Sequence, residues 1–200
     1  MEILIATHNK AKFKMYKRIL DKYGFVSYSL DDINITDEVK EEGTTPLENA
    51  ISKVKGYSKI TKLPIVSVDD GLDIDNIPKS LNPGVNVRRV NGKRLTDKEM
   101  ITHYTNLAKK YGDNEKLTAR FVKGIAISVN NIIHCCQFNR EIIISSTAVD
   151  EMIEGYPMNS ITLDPKYKKY TINLTEEEKE EIDKRYYFEF ENLIKKVFNI

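Results

Sequence analysis

The sequence lacks several features that would place a protein in a class directly. Its 200 residues contain no tryptophan, two cysteines and three histidines, and the formal net charge is +1. No apolar run approaches the roughly 20 residues that span a bilayer, and no basic excess suggests a nucleic-acid or membrane-surface binder. We therefore expect a soluble globular protein with neither a membrane nor a nucleic acid among its partners.

Cysteine and histidine are too few for a disulfide framework or a zinc site. Cys135 and Cys136 are adjacent in a segment with strand character, so their side chains should point to opposite faces. This usage is typical of a reducing compartment, and we expect a cytoplasmic protein. Because the three histidines are scattered, any metal should be a hard cation on carboxylates, with Mg²⁺ as the first choice.

Hydrophobic periodicity predicts alternating strands and helices in the first half of the chain. The short apolar runs Glu2–Ala6 and Pro64–Val68 are predicted to be strands. We interpret the first run as a strand and not as a signal peptide. A helix is predicted from about Lys10 to Tyr23. Capping boxes that begin at Thr45 and at Thr96 predict two more helices.

The second half is predicted to be richer in strands. Three segments have β character: Leu117–Val129, Ile132–Phe138 and Glu141–Ser146. Asn130–Asn131 is the predicted hairpin turn, and a capping box at Thr175 begins a helical C-terminus of one helix or two. This order favours a single α/β domain over residues 1–200, a three-layer αβα fold with an elongated mixed sheet. Ligands of such folds bind beyond the carboxyl ends of the strands.

A phosphate site is one interpretation of the segment where the first strand meets the first helix. Lys10, Lys12 and Lys14 crowd the positive end of the helix dipole, which is unfavourable unless an anion neutralises them. Free backbone N–H groups at a helix N-terminus also bind anions. The alternative is a solvated lysine face, which salt screening makes inexpensive. Charge alone favours that alternative.

Acidic residues near the predicted strand end are a second candidate site. Asp69 and Asp70 follow an apolar run and precede a glycine, where carboxylates can hold Mg²⁺ or accept a proton from water. Turn-forming aspartates are an equal alternative. Glu41 precedes the second helix and Lys53 lies about two turns along it, and each alone is an ordinary helix charge. Arg89 follows a turn, and arginine suits phosphate oxygens.

In combination, these segments resemble the inosine triphosphate pyrophosphatase family over nearly the whole chain. The motifs that carry the resemblance are Thr7-x-Asn9-x-x-Lys12, Glu41-x-x-x-Thr45-x-x-Glu48-Asn49-Ala50, Lys53, Asp69-Asp70-Gly71-Leu72, Pro83-Gly84 and Arg89. No single motif is specific for the family, but all of them together in the family's order and spacing are. The resemblance implies a homodimer with two lobes around a nucleotide-binding cleft. It also implies Mg²⁺-dependent hydrolysis of ITP, dITP and XTP to the monophosphate and pyrophosphate.

The same resemblance implies a role for individual residues. Glu41 and Asp69 would bind Mg²⁺, and Asp69, Lys12 and Glu41 would be the catalytic set. Asp69 would activate the attacking water, or Asp70 in a second possible register. The substrate-binding residues would be Thr7, His8, Asn9, Lys10, Lys12, Lys53, Asp70, Arg89, Tyr156, Asn159, Lys179, Lys184 and Arg185.

The chain departs from the family pattern around the catalytic acid and in the segments that read the base. Val68 stands where a second acid is usual, and Asp70 stands where a serine is usual. The family's aromatic segment ending in Asp-Pro corresponds to residues 155–160, and its Ser-His-Arg triplet corresponds to residues 183–185.

These base-reading departures leave three hypotheses open. Lys184 and Arg185 can donate to a purine carbonyl, and Asn159 can accept from the ring N–H, so a preference for keto-purines is expected. The alternatives are the same chemistry on a uracil or modified base, or a catalytically inactive nucleotide-binding regulatory protein.

Overall fold

The computed structural model describes residues 1–200, in eight strands and five α-helices. The strands are β1 (Glu2–Ile5), β2 (Val26–Tyr28), β3 (Ile65–Ile74), β4 (Arg89–Val90), β5 (Lys93–Arg94), β6 (Lys116–Val129), β7 (Ile132–Ser145) and β8 (Thr162–Leu163). The helices are α1 (Lys10–Asp21), α2 (Pro46–Tyr57), α3 (Asp97–Tyr111), α4 (Glu176–Tyr186) and α5 (Phe188–Phe198). None of these helices has both the length and the apolar character needed to cross a membrane.

Six strands form one mixed sheet in the order β2-β1-β3-β6-β7-β8, and β4 pairs with β5 in a separate ribbon. Strand β1 is parallel to both β2 and β3, whereas β7 is antiparallel to β8. The predicted α/β class with a mixed sheet is therefore confirmed. The chain contributes residues 1–70, 123–138 and 186–200 to one compact unit, and residues 71–122 and 139–185 to a second.

In the first unit, helices cover both faces of the strands. One core joins Ile3, Val66 and Ile125 of the strands to buried side chains of α1 and α5. The other core joins Leu4 and Ile65 to buried side chains of α2. Successive strand residues point to opposite faces, so α1 and α5 lie on one face and α2 lies on the other. These are the three predicted layers.

The second unit has its own apolar core against α3. Leu72 and Ile74 of β3 lie there with strand residues of β6 and β7 and with Met100 and Tyr104 of α3. The hydroxyl of buried Tyr104 donates to the carbonyl oxygen of Val87 at 2.7 Å, which satisfies the one polar atom of that side chain.

The helix starts follow the sequence signals closely. Thr45 and Thr96 form complete capping boxes before α2 and α3, as predicted. Thr175 accepts from the backbone N–H of Glu178 at 3.3 Å while the Glu178 carboxylate accepts from the N–H of Thr175, so the third box is confirmed as well. The helical C-terminus is two helices, α4 and α5, which separate at Tyr187.

Two strand predictions were wrong in extent. Strand β3 does not end before Asp69 but continues to Ile74, because buried Leu72 and Ile74 keep the alternation of a strand. Leu72 also exchanges backbone hydrogen bonds with Gly84. Residues 132–145 form one strand, β7, where two were predicted, because their alternation of exposure also continues through the polar pair 139–140. The hairpin turn at residues 130–131 is confirmed by positive φ angles of 51° and 64°.

Candidate active site

The two aspartates of β3 take different partners because neighbouring strand residues face opposite sides. The carboxylate of Asp69 is directed to α2, where the amide of Asn49 donates to it at 3.0 Å and the ammonium of Lys53 donates to it at 3.1 Å. Lys53 also forms an ion pair with Glu41 at 2.7 Å. We call Glu41, Asn49, Lys53 and Asp69 the Asp69 cluster.

The sequence of α2 accounts for this geometry. Asn49 and Lys53 are four residues apart, so they lie on the same face of the helix, one turn above the other. The backbone N–H of Gly43 donates to the Asn49 side-chain oxygen at 2.8 Å, which holds the loop that carries Glu41 against the helix. A Cβ at Gly43 would lie 2.7 Å from that oxygen, so glycine permits the close approach.

The Asp69 cluster has an excess of negative charge. Two carboxylates share one ammonium group, so the cluster carries one net negative charge. Burial alone would lower the pKa of Lys53, but the charges of Asp69 and Glu41 outweigh it and raise that pKa above its ordinary value. Asp69 is only 7% exposed, whereas Glu41 reaches solvent. The charge imbalance is therefore partly buried.

The oxygen donors of this cluster fit a divalent cation of the Mg²⁺ type. Glu41 and Asp69 supply hard carboxylate oxygens, and no group of three or more acidic, histidine or cysteine side chains forms a closed metal cage in the chain. Mg²⁺ commonly uses one or two carboxylates and completes its shell with water and substrate phosphates. Glu41 and Asp69 could therefore supply the protein's share of such a shell.

Asp70 lies at the centre of a second group of charges. Its Oδ2 is 2.8 Å from the Lys12 ammonium and its Oδ1 is 2.7 Å from the Lys123 ammonium. Burial alone would raise the pKa of Asp70, but the two ammonium groups outweigh it and hold that pKa well below its usual range. We call Lys12, Asp70 and Lys123 the Asp70 cluster, and its net charge is +1.

The loop between β1 and α1 is ordered by its own side chains. Asn9 is the N-cap of α1, and its Oδ1 accepts from the backbone N–H groups of Ala11 at 2.9 Å and Lys12 at 3.1 Å. Thr7 in turn accepts from the N–H of Asn9 at 3.2 Å. The first turn of α1 contains no acid of its own, and the acid nearest to it along these contacts is Asp70 of β3, paired with Lys12.

The other two predicted residues of this loop are exposed. His8 Nε2 lies 3.5 Å from the hydroxyl of Tyr57, and Lys10 begins α1 with its side chain in solvent. The structure thus brings Glu41, Lys53 and Asp69 together, and it joins Lys12 to Asp70. The roles predicted for all of these residues remain predictions.

The predicted residues of the second unit are spread over several elements. Arg89 is exposed on β4, Lys184 is exposed on α4, and Lys179 pairs with Glu176 at 2.7 Å on the surface of α4. Near Asn159, a short 3-10 turn, Pro157–Ser160, follows Tyr156, whose carbonyl accepts from the N–H of Asn159 at 3.1 Å.

Arg185 is the predicted base-reading residue with the most structured surroundings. Its guanidinium donates to Asp164 Oδ2 at 2.9 Å, and the Asp164 side chain is fully buried. The other Asp164 oxygen accepts from the backbone N–H groups of Lys166 at 2.8 Å and Tyr167 at 3.1 Å. Asp164 therefore fixes the orientation of Arg185.

Sequence reasoning missed Lys123, Asp164 and the role of Asn49. Lys123 is the one charged residue of the run Phe121–Val129, and a lone lysine within an apolar strand was the available signal. Asp164 belongs to the only Asp-Pro dipeptide of the chain, which could have been aligned with the family's Asp-Pro. Asn49 was part of a recognised motif, but its contact with Asp69 required the fold.

Comparisons with known proteins place the chain in a family. The sequence profile of the Ham1 family matches residues 3–188. The chain is 37% identical over 128 residues to a protein named dITP/XTP pyrophosphatase from Bacillus subtilis, and 34% identical over 125 residues to one of the same name from Photobacterium profundum. These matches take in 64% and 60% of this chain, and 63% and 59% of the two relatives, so the similarity spans less than two thirds of either relative.

Solved structures extend the similarity over most of the chain. A HAM1 protein from Coxiella burnetii has a TM-score of 0.71 and 28% identity, with 91% of each chain covered. The Ham1 protein of Staphylococcus aureus has a TM-score of 0.68 and 25% identity, covering 90% of this chain and 89% of its own. Because the family profile matches nearly the whole sequence and both folds agree, the chain belongs to the Ham1 family.

Proposed function

We propose that this protein hydrolyses purine nucleoside triphosphates with non-standard bases, namely dITP, XTP and ITP, to the monophosphate and pyrophosphate. The observation that carries the proposal is the pair of oppositely charged clusters built on Asp69 and Asp70. A metal–triphosphate complex needs both a negative site for the cation and a positive site for the phosphates. The name of the relatives, dITP/XTP pyrophosphatase, supports the reaction and the class of base.

Glu41 and Asp69 would hold the divalent cation, for which we propose Mg²⁺. When bound, the cation would neutralise phosphate charge and lower the pKa of a coordinated water. The ammonium group of Lys53 compensates the charges of both carboxylates, at 2.7 Å from Glu41 and 3.1 Å from Asp69. A bound cation would compensate these carboxylates in its place, and Lys53 would then be available to bind the phosphates.

Asp69 would accept the proton of the attacking water. Its side chain is held in one orientation by Asn49 and Lys53, as a general base must be. The water oxygen would attack the α-phosphorus, the bond from that phosphorus to the bridging oxygen would break, and pyrophosphate would leave with that oxygen. Lys12 would bind the phosphates at the N-terminus of α1, whose first turn contains no acid of its own.

Recognition of the base would fall to the second unit. Arg185, oriented by Asp164, and Lys184 would donate to the six-position carbonyl of a keto-purine. Asn159 would accept a hydrogen bond from the ring N–H. Tyr156, three residues before Asn159, would also belong to the substrate-binding residues. Adenine, which presents an amino group at that position, would meet donors without an acceptor and would be disfavoured.

A panel of triphosphates tests the proposal. Purified protein is incubated with Mg²⁺ and ITP, XTP, dITP, GTP, ATP, UTP or dUTP, and pyrophosphate and orthophosphate are assayed separately. We expect pyrophosphate from ITP, dITP and XTP, and none from the Asp69→Asn variant. Asp21→Asn is the matched control, since Asp21 pairs with Lys17 on the exposed face of α1.

The other outcomes decide between the alternatives. Pyrophosphate mainly from UTP, dUTP or another nucleotide would keep the chemistry and overturn the proposed base. Nucleotide binding without turnover would favour a regulatory protein. Equal rates with and without Mg²⁺ after treatment with a chelator would contradict the metal assignment.

The assembly and location complete the proposal. We propose that residues 1–200 act as a single domain, that two chains form a homodimer, and that the protein works in the cytoplasm. Light scattering coupled to size-exclusion chromatography measures the mass directly. One chain has a mass of 23.1 kDa, so a peak at that mass would contradict the dimer.

A further inference from the structure

Lys123 is a buried charged residue for which no role was predicted. It lies on β6, is 6% exposed, and is on the face that carries Ile125 and Ile127 against α1 and α5. Burying an ammonium group is costly unless a partner compensates it. The partner is Asp70, whose Oδ1 lies 2.7 Å from the Lys123 ammonium.

The position of Lys123 is fixed by the residue that follows it. A Cβ at Gly124 would point to the opposite face of the strand. It would lie 2.3 Å from the backbone N of Leu47 and 2.4 Å from the carbonyl carbon of Pro46. Strand β6 thus lies directly against the first turn of α2. Because this contact fixes β6, Lys123 is held towards Asp70 by the backbone.

The Asp70 cluster contains one more lysine than its own stability needs. One ammonium would neutralise Asp70, yet Lys12 and Lys123 each bind a different oxygen of the carboxylate. With Lys123 in place, Asp70 keeps a buried counter-charge when Lys12 moves away. Without Lys123, Asp70 and Lys12 would form a one-to-one pair, which phosphate would have to break at the cost of an uncompensated carboxylate.

We propose that Lys123 is a positioning residue that holds Asp70 and so lets Lys12 turn from Asp70 to the phosphates of the substrate. The inference rests on the proposed function, because it assumes that Lys12 binds a triphosphate. It adds a residue to the site. Lys123 keeps the charge of the Asp70 cluster positive in spite of that acid.

Lys123→Met, Lys123→Arg and the double variant Asp70→Asn with Lys123→Met test the inference. Affinity for inorganic tripolyphosphate is measured by calorimetry, and KM for the preferred triphosphate is measured by pyrophosphate release. We expect Lys123→Met to lower the affinity for tripolyphosphate and to raise KM, each by about tenfold. Lys123→Arg keeps the charge, so both quantities should stay near those of the unsubstituted protein. The double variant should recover most of the affinity, because Lys12 then has no carboxylate to leave.

Controls separate this role from a structural one. Lys17→Met removes an exposed lysine of α1 and should change neither quantity. Thermal unfolding is followed for every variant, and Lys123→Gln replaces Lys123→Met if the methionine variant does not fold. A purely structural lysine would lower stability without recovery of tripolyphosphate affinity in the double variant.

The outcomes also separate this inference from the proposed function. Unchanged tripolyphosphate affinity in Lys123→Met, a double variant as weak as Lys123→Met, or no tripolyphosphate binding by the unsubstituted protein would each overturn the inference. Failure of the proposed function has a different signature, namely no pyrophosphate from any nucleotide. Lys123-dependent tripolyphosphate binding without pyrophosphate release would support the inference while the proposed reaction fails.

Discussion

Asp69 and Asp70 are the same residue type at neighbouring positions of one strand, yet their surroundings have opposite charge. Asp69 shares Lys53 with Glu41, which leaves one negative charge, whereas Asp70 is shared by Lys12 and Lys123, which leaves one positive charge. The difference arises because the pleat of β3 directs one side chain to α2 and the other to α1 and β6. The fold thereby places two identical residues in clusters of opposite net charge.

Most other ion pairs of the chain are balanced or exposed. Arg88 and Asp97 form a one-to-one pair. Arg120 has two acidic partners, Asp73 and Asp75, but these three side chains are 31–40% exposed, so water screens their charges. Charge that is both unbalanced and buried is costly, and it is concentrated on β3. This combination distinguishes the candidate site from ion pairs that only support the fold.

The largest expected effect comes from removing the charge of Asp69. Asn at position 69 keeps the shape of the side chain but cannot accept a proton from water. We expect the rate of pyrophosphate release to fall by about 10³-fold or more. Steady-state assays with dITP and XTP measure this loss.

Asp21→Asn again serves as the control, and thermal unfolding should show that both variants are folded. If Asp69→Asn keeps activity within tenfold of the unsubstituted protein while Asp70→Asn loses it, the base is Asp70. The Asp70 cluster, and not the Asp69 cluster, would then contain the general base.

The second prediction concerns stability and sharpens the charge argument. Lys53→Met leaves Asp69 without its cation in a buried position, since the Asp69 side chain is 11% exposed. We expect the free energy of unfolding at pH 7 to fall by about 3 kcal/mol.

Urea unfolding at pH 7 measures this effect. Lys17→Met, which breaks an exposed pair on α1, should cost less than about 1 kcal/mol. An equal loss of unfolding free energy in Lys53→Met and Lys17→Met would mean that solvent compensates the charge of the Asp69 cluster. Burial would then not distinguish this cluster from an exposed ion pair.

The fold was predictable because local signals agreed with tertiary packing. The three capping boxes at Thr45, Thr96 and Thr175 gave the starts of α2, α3 and α4, and periodicity gave α1. The course of β3 was not predictable in the same way. Two aspartates and a glycine are turn formers by propensity, and only partners on other elements make Asp69 and Asp70 acceptable within a strand.

The site was predictable only in part for the same physical reason. Glu41, Lys53 and Asp69 each had an ordinary explanation, and only their common register with a family selected the functional one. Lys123 is 53 residues beyond Asp70 in sequence, so no local pattern joins them. Long-range ion pairs depend on strand order, and that order is set by packing.

The third prediction uses a balanced cluster of the second unit to test the comparison. Asp97 accepts from Arg88 at 2.5 Å and from the backbone N–H of Gly155 at 2.9 Å. Burial alone would raise the pKa of Asp97, but these hydrogen bonds and the charge of Arg88 lower it. The stabilisation should therefore be complete above the unfolded pKa of about 3.9 and be lost as pH falls through the lower folded value.

Asp97→Asn should lower the free energy of unfolding by about 2 kcal/mol at pH 7, and the difference from the unsubstituted protein should shrink in acid. Pyrophosphate release at neutral pH should stay close to that of the unsubstituted protein, because the pair is balanced and remote in sequence from β3. Loss of activity with unchanged stability would show that balanced pairs also mark functional positions.

The smallest expected effect is on selectivity and concerns Arg185. Arg185→Met removes a donor for the purine carbonyl but leaves both clusters of β3 intact, so dITP hydrolysis should continue. We expect the ratio of kcat/KM for XTP to that for dATP to fall by about tenfold, while Lys166→Met, an exposed lysine paired with Glu181, should leave it unchanged. Asp164→Asn should shift the ratio in the same direction, because Asp164 orients Arg185. An unchanged ratio in Arg185→Met would place base recognition elsewhere and confine the function of this charge pair to folding.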